Sequence, residues 1–223
     1  MDYSLLTGAP LFRELSATEI ENLLTGISYY SRKFKSGSLV AQSGDQVSSL
    51  MVVIRGIVKG EMVDYAGRMI KIEEISAPGA LAPAFLFGSK NSYPVNIMAI
   101  SDVEILMIVK SEFLKLLIRN DTILVNFLDI ISNRSQFLSE KIKFLSFKTI
   151  KGKLAQFILQ RAGRDKLEIV LETTQNDLAD FFGVARPSVA RALGEMEDEG
   201  LILARGKNIK ILDRVNLTKL TAD

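Results

Sequence analysis

A stretch near the C-terminal end, residues 174–202, constrains the fold more than any other part of the chain. Its sequence is TQNDLADFFGVARPSVARALGEMEDEGLI. Thr174 followed by Asp177 is a helix-start pattern, since the hydroxyl accepts a hydrogen bond from an unpaired amide of the first turn. Gly183 can adopt the left-handed conformation that ends a helix, and Pro187 suits the first turn of a new one. The pattern predicts two short helices joined at Gly183.

The second of these helices, starting near Arg186, has an apolar face and a basic face. Its apolar stripe is formed at helical spacing by Val189, Leu193 and Met196. Arg186, Ser188 and Arg191 lie off this stripe and can meet a partner. This pattern is typical of a helix-turn-helix, whose second helix enters the major groove of DNA. The alternative is an ordinary helical hairpin with a solvated charged face.

The segments around this helix pair predict a winged variant. A helix over residues 149–162 and a strand-like LEIVLE come before the pair. A hairpin, LILA–RGKN–IKIL, comes after it, and the tip of this hairpin carries Arg205 and Lys207. Cations at such a tip can bind the phosphate backbone of DNA.

The first 110 residues are rich in short β-type segments separated by glycine-containing turns. Ile70 and Ile72 alternate with Lys71 and Glu73, which predicts a strand with one buried and one solvated face. Many short strands at this spacing predict a barrel or a jelly roll. The clearest strand-like segments are residues 50–54, 56–63, 68–75 and 103–109.

Residues 121–147 lack glycine and proline and carry a heptad pattern. Its positions recur at intervals of four and three: Leu124, Leu128, Ile131, Ser135, Leu138, Ile142 and Leu145. Such a seam predicts pairing with a second helix, and we expect a parallel homodimer. The alternative is a helix that packs on the barrel. Phe127 and Phe137 lie off the seam and could serve that packing.

Composition narrows the function classes. The chain has 223 residues, no cysteine and no histidine, and a net charge of +2. The absence of cysteine and histidine excludes a disulfide scaffold, a cysteine-held zinc or iron–sulfur site, and the usual general base. There is no G-x-S-x-G elbow and no Walker loop, so we expect no catalytic residue and no metal site. Without a signal peptide or an apolar run of ~20 residues, we expect a cytoplasmic protein with no membrane partner.

A jelly roll, a long helix and a winged helix-turn-helix, in that order, resemble the cyclic-AMP receptor protein/fumarate-nitrate regulator superfamily of bacterial transcription factors. The most specific segment is LADFFGVARPSVARALGEMEDEGLI. The resemblance implies an α+β chain with an N-terminal double-stranded β-helix domain at 1–120, a dimerisation helix at 121–147 and a DNA-binding domain at 148–223. It also implies a homodimer that binds a palindromic double-stranded operator and contacts RNA polymerase.

The resemblance assigns roles to residues of the helix pair. Arg186 stands where a base-reading arginine enters the groove, and Arg191 where a second arginine meets a base or a phosphate. Pro187 stands where some members of the family have a glutamate, so the operator half-site should differ from theirs. The candidate DNA-binding residues are Thr174, Arg186, Pro187, Ser188, Arg191 and Lys207.

The sensor domain departs from the family's cyclic-nucleotide binders. In those proteins a Gly-Glu pair grips the ribose and an Arg-Ser pair grips the cyclic phosphate. Here Ala82 and Pro83 stand at the first pair, and Tyr93 and Pro94 at the second. A phosphate anion needs a cation or hydrogen-bond donors, and neither alanine nor proline supplies one. The resemblance therefore argues against cyclic AMP.

Other effectors stay open. Iron–sulfur clusters and haem held by histidine or cysteine are excluded, and haem held through Met51, Met62, Met69 or Met98 is the remaining redox or nitric oxide alternative. The candidate pocket is apolar and suits a hydrophobic or planar neutral ligand. Its residues are Leu81, Ala82, Pro83, Phe85, Phe87, Tyr93 and Asn96. The alternatives are a pocket merely filled by these side chains and a non-standard cyclic-nucleotide pocket.

Overall fold

The computed structural model describes residues 2–63 and 69–221. Contacts group the chain into two compact units, Met1–Arg134 and Ser135–Asp223, here called the N-terminal and C-terminal units. The division falls inside a long helix, α3. The helices of the first part of the chain are α1 (Ala17–Thr25), α2 (Lys110–Arg119) and α3 (Asp121–Ser146).

In the described part of the N-terminal unit, eight strands form two antiparallel sheets of four strands each. The sheet orders are β1-β8-β3-β6 and β2-β7-β4-β5. Two such sheets with chain-distant neighbours confirm the predicted jelly roll. The strands are β1 (Tyr29–Phe34), β2 (Leu39–Ala41), β3 (Ser49–Arg55), β4 (Ile57–Val63), β5 (Met69–Ser76), β6 (Gly79–Leu81), β7 (Asn96–Ala99) and β8 (Val103–Val109).

The core of the N-terminal unit is built on β3 and β8, which pair at the centre of the first sheet. Every residue from 49 to 54 is buried, so that β3 is covered on both faces. Three aromatic rings join the core to the helices: the centroids of Phe113 and Phe127 lie 5.1 Å apart, and those of Phe87 and Phe127 lie 5.9 Å apart. Phe127 belongs to α3, so the start of this helix packs on the barrel.

Strand β5 forms where predicted, but its burial differs from the prediction. Ile70 is 41% and Ile72 is 51% exposed. The expected buried face is therefore wrong for this half of the strand. The reason is that β5 lies at the edge of its sheet, and no described residue covers its first half, which contains Ile70 and Ile72. Alternation located the strand and its two faces but could not show whether a face is covered.

Helix α3 is unbroken over 26 residues. Its buried side chains include Ile123, Phe127 and Phe144, which lie off the heptad seam. Four apolar seam residues stay exposed, Leu128 at 53%, Leu138 at 47%, Ile142 at 68% and Leu145 at 49%. Packing within one chain therefore does not account for these four positions. Phe137, the other residue considered for packing, lies 5.7 Å from the ring of Phe181.

The C-terminal unit combines four further helices with a three-stranded sheet of order β10-β11-β9. The β10–β11 hairpin closes through Gly206 and Lys207, because Arg205 pairs with Asn208. We call this hairpin the wing. The elements are α4 (Ile150–Ala162), β9 (Glu168–Val170), α5 (Gln175–Phe182), α6 (Arg186–Asp198), β10 (Ile202–Arg205), β11 (Asn208–Ile211) and α7 (Arg214–Lys219).

Helix α5 begins and ends, and helix α6 begins, where the sequence predicts. The Asp177 amide donates to the Thr174 hydroxyl at 3.2 Å, and the Thr174 amide donates to the Asp177 carboxylate at 2.8 Å. Gly183, with φ 67° and ψ 39°, ends α5 in the left-handed conformation. Helix α6 starts at Arg186 with Pro187 in its first turn. Hydrogen bonds from the Thr174 hydroxyl and amide lower the pKa of Asp177 below its ordinary value of 3.8.

Thr174→Ala should destabilise the C-terminal unit by about 1 kcal/mol in urea unfolding, because the first turn of α5 loses its cap. Thr174→Ser keeps the hydroxyl, and its stability should stay close to that of the parent.

The capping effect should depend on pH. The folded-state pKa of Asp177 is depressed, so the contribution of its carboxylate to stability is present above the ordinary pKa. That contribution is lost as the pH falls through the folded value. The difference between parent and Thr174→Ala should therefore shrink below about pH 4. Equal stability of the two proteins at neutral pH would contradict the capping role.

Candidate nucleic-acid interface

Helix α6 separates a buried stripe from an exposed face. The stripe consists of Val189, Ala192, Leu193 and Met196, and it includes all three residues predicted for it. On the other side, Arg186, Pro187 and Arg191 are exposed and Ser188 is half-buried. Arg186 and Arg191 are five residues apart, so they lie about 140° apart around the helix axis. The two arginines therefore flank the exposed face from opposite sides.

A cleft of about 520 Å³ lies between the start of α5, the exposed face of α6 and the wing. Arg186 lines it from α6, Lys207 from the tip of the wing, and Thr174 from the cap of α5. Three of the predicted residues are thus brought together. Pro187, Ser188 and Arg191 lie on α6 outside the lining of this cleft.

The cleft has a positive character. Among the described residues, no carboxylate lies within ion-pair distance of Arg186 or Lys207. One acidic side chain, Glu197, also lines the cleft, and it accepts a hydrogen bond from the Ala204 amide at 2.7 Å. Glu197 therefore ties the wing to α6, while both cations are left to meet an anion such as a phosphate.

Two cleft residues, Gln175 and Asn176, were missed at the sequence level. Both occupy the first turn of α5 and line the cleft. Their amide side chains can donate hydrogen bonds to phosphate oxygens, and the first helix of a helix-turn-helix crosses the DNA backbone. The Thr174 hydroxyl is already hydrogen-bonded in the capping box, whereas the side-chain amides of Gln175 and Asn176 take no part in it. The sequence signal that could have identified these two residues is their position directly after the capping residue.

In the N-terminal unit, the predicted effector residues begin with a strained backbone position. Ala82 has φ 45° and ψ 42°, a left-handed conformation, and it precedes a short 3₁₀ helix, Pro83–Phe85. This conformation costs an L-residue about 1–2 kcal/mol, so the surrounding structure must enforce it. Pro83 offers no N–H donor and no polar side chain. A ribose hydroxyl would find no carboxylate at these two positions.

The other effector candidates are mostly apolar and buried. Leu81 and Tyr93 are only 1% and 4% exposed, and Phe85 packs against the same core. Burial raises the pKa of Tyr93 to about 12, with smaller contributions from Tyr30 and Asp45, so its hydroxyl stays neutral. The side-chain oxygen of Asn96 is occupied, because it accepts a hydrogen bond from the Ser43 amide at 2.8 Å.

Within residues 2–63 and 69–221, no group of three or more carboxylates could hold a metal ion. None of the helices in this part of the chain is long and apolar enough to cross a bilayer.

Comparisons with known proteins agree with this architecture. Residues 31–120 match the cyclic nucleotide-binding domain model, and residues 152–220 match the Crp-like helix-turn-helix domain model. The chain is 27% identical to the cAMP-activated global transcriptional regulator CRP of Pasteurella multocida, over 80% of this chain and 88% of that protein. It is 24% identical to the Anaerobic regulatory protein of Bacillus subtilis, over 88% of this chain and 85% of that protein.

A solved structure supports the fold. The Thermus thermophilus catabolite activator protein superposes with a TM-score of 0.57 at 20% identity, covering 96% of this chain and 98% of that one. The order of the two matched domains, the helix pair and the wing thus lead to one assignment. The chain belongs to the cyclic-AMP receptor protein/fumarate-nitrate regulator family of transcription regulators.

Proposed function

We propose that the chain works as a homodimer that reads a palindromic operator in the cytoplasm, contacts RNA polymerase and has no catalytic activity. The observation that carries this proposal is the cleft in which Arg186 and Lys207 converge without carboxylate partners among the described residues. DNA fits both cations, because its phosphates suit Lys207 and its guanine edges suit the guanidinium group of Arg186. A major groove beside them would receive the exposed face of α6.

The residues of this surface have different proposed roles. Arg186 and Arg191 are proposed to contact base edges, where an arginine can donate two hydrogen bonds to guanine. Ser188 lies between them in the sequence, and the side chain of Pro187 has no hydrogen-bond acceptor, so no cytosine amino group is read there. Lys207 is proposed to contact phosphates whatever the sequence. Thr174 fixes the start of α5, from which Gln175 and Asn176 reach the backbone.

Arg186→Ala should weaken binding to an operator selected from random duplexes by about tenfold or more, because a bidentate arginine–guanine pair is worth roughly 1–3 kcal/mol. Binding to a scrambled duplex should change little. Fluorescence anisotropy with both duplexes measures the two affinities.

Lys207→Ala is the matched control. It should weaken binding to both duplexes alike and reduce the salt dependence of affinity by a slope of about 1. If Arg186→Ala bound the selected operator as tightly as the parent, the proposed docking of α6 would be wrong.

The proposal of a homodimer rests on the exposed half of the α3 seam. Leu138, Ile142 and Leu145 form a continuous apolar row that one chain leaves in water. A second α3 helix would bury this row by knobs-into-holes packing, with Ser135 as one polar interruption. Two-fold symmetry would then set the recognition helices about 34 Å apart, which is one turn of DNA.

Leu138→Glu should convert the dimer to a monomer, because symmetry brings two buried carboxylates together at the seam. Sedimentation velocity should show the monomer, and operator binding should be greatly weakened. Gln136→Glu adds the same charge on the same helix but off the seam, and should remain a dimer. A dimeric, fully active Leu138→Glu protein would contradict the proposed pairing.

For the sensor domain we propose an effector other than a cyclic nucleotide. Ala82 and Pro83 lack the carboxylate that a ribose needs, and Tyr93 presents a neutral phenol where a phosphate needs a cation. On β4, Lys59 is already paired with Glu61 at 2.6 Å. Buried Leu81 and the adjoining Phe85 favour a hydrophobic or planar neutral ligand.

Cyclic AMP and cyclic GMP should show no measurable binding in titration calorimetry at about millimolar concentration, because an unpaired buried phosphate costs several kcal/mol. The Tyr93→Phe variant, which lacks the phenol hydroxyl, should likewise give no heat of binding with either nucleotide. Micromolar affinity of the parent for either nucleotide would contradict this account of the sensor.

A further inference from the structure

Lys153, on helix α4, is a charged residue inside the core of the C-terminal unit. It is only 8% exposed, and its neighbours Leu154 and Ala155 are buried as well. An ammonium group in such a place is costly unless it is hydrogen-bonded. Among the described residues, no carboxylate forms an ion pair with it. Its Nζ donates instead to the main-chain carbonyl oxygen of Phe182, at 3.1 Å.

This carbonyl group occupies a particular place in the helix pair. Phe182 is the last residue of α5, where carbonyl groups lack partners within the helix and the helix dipole favours a cation. The next two amides are already satisfied, since Gly183 and Val184 donate back to carbonyls of α5. Lys153 therefore donates to the Phe182 carbonyl oxygen, for which α5 has no donor of its own.

We infer that Lys153 is a positioning residue for base reading. It fixes the turn over residues 183–185, and the direction in which α6 leaves this turn decides where Arg186 points. The inference rests on the proposed function, in which α6 reads the DNA. Lys153 itself cannot take part in phosphate binding, because its ammonium group is buried and engaged.

The first measurement is hydrogen exchange on the free protein. In Lys153→Met, which keeps the length of the side chain but removes the donor, the hydrogen-bonded amides of Gly183 and Val184 should exchange faster. Amides of the buried stripe, such as Val189 and Met196, should keep their protection. Equal loss of protection in both regions would show that Lys153 only stabilises the core, and would overturn the positioning role.

The second measurement compares a selected operator with a scrambled duplex. Lys153→Met should lose about tenfold in affinity for the operator, a loss of the size expected for a hydrogen bond from a charged donor. Its affinity for the scrambled duplex should stay within about twofold, since no phosphate contact is removed. Lys153→Arg, which keeps a charged donor, should recover most of the operator affinity.

Lys151→Met is the matched control. Lys151 lies two residues away on α4 and pairs with Glu195 and Glu199 at 2.8 and 2.7 Å, so the variant removes the same charge but no contact of the turn. It should leave exchange at Gly183 and Val184 unchanged. Operator affinity of Lys153→Met equal to that of the parent would overturn the inference. A parent protein that selects no sequence at all would instead contradict the proposed function, while the exchange experiment would still test the turn.

Discussion

In its second half, helix α3 carries apolar side chains on two faces, and one chain covers only one of them. Phe127 packs into the core of the N-terminal unit, and Phe144 packs into the core of the C-terminal unit. Both units therefore depend on the same continuous helix. Around the helix axis Leu138 and Ile142 lie about 120° and 160° from Phe144, and both stay exposed. Apolar surface of this extent is normally buried away from water. A second copy of α3 offers an identical surface, and this is why a symmetric pair is the economical solution.

The proposed DNA-reading surface depends on fixing backbone segments while leaving a few cations unpaired. Gly183 turns the chain from α5 into α6, and Lys153 satisfies the carbonyl group that precedes it. Glu197 holds the wing through its contact with the Ala204 amide. Arg186 and Lys207 are thus presented on a frame that is already ordered. Such preorganisation lowers the entropy lost on binding, so that more of the interaction energy remains for recognition.

The sequence predicted those features that neighbouring residues determine by themselves. The cap at Thr174 and the left-handed end at Gly183 each depend on a few adjacent positions, and both are present. The features that were missed depend on residues far apart in the chain. Gln175 faces a cleft only because the wing folds back beside it, about thirty residues later in the sequence. The burial of Lys153 likewise depends on Phe182. The exposure of Ile72 follows from the lack of a covering element, which alternation cannot reveal.

The loop that begins at Ala82 combines a backbone conformation typical of glycine with side chains that carry no charge. Ala82 adopts a left-handed conformation that glycine would adopt without strain, and the resemblance places it where the family's ribose-gripping pair begins with glycine. A strained residue is retained only where its surroundings determine the loop. The loop geometry is therefore set by the surrounding structure and does not by itself identify the ligand. The ligand preference must be sought in the side chains, and Pro83 and Tyr93 are both uncharged. This separation of loop geometry from side-chain chemistry supports the proposal that the domain senses something other than a cyclic nucleotide.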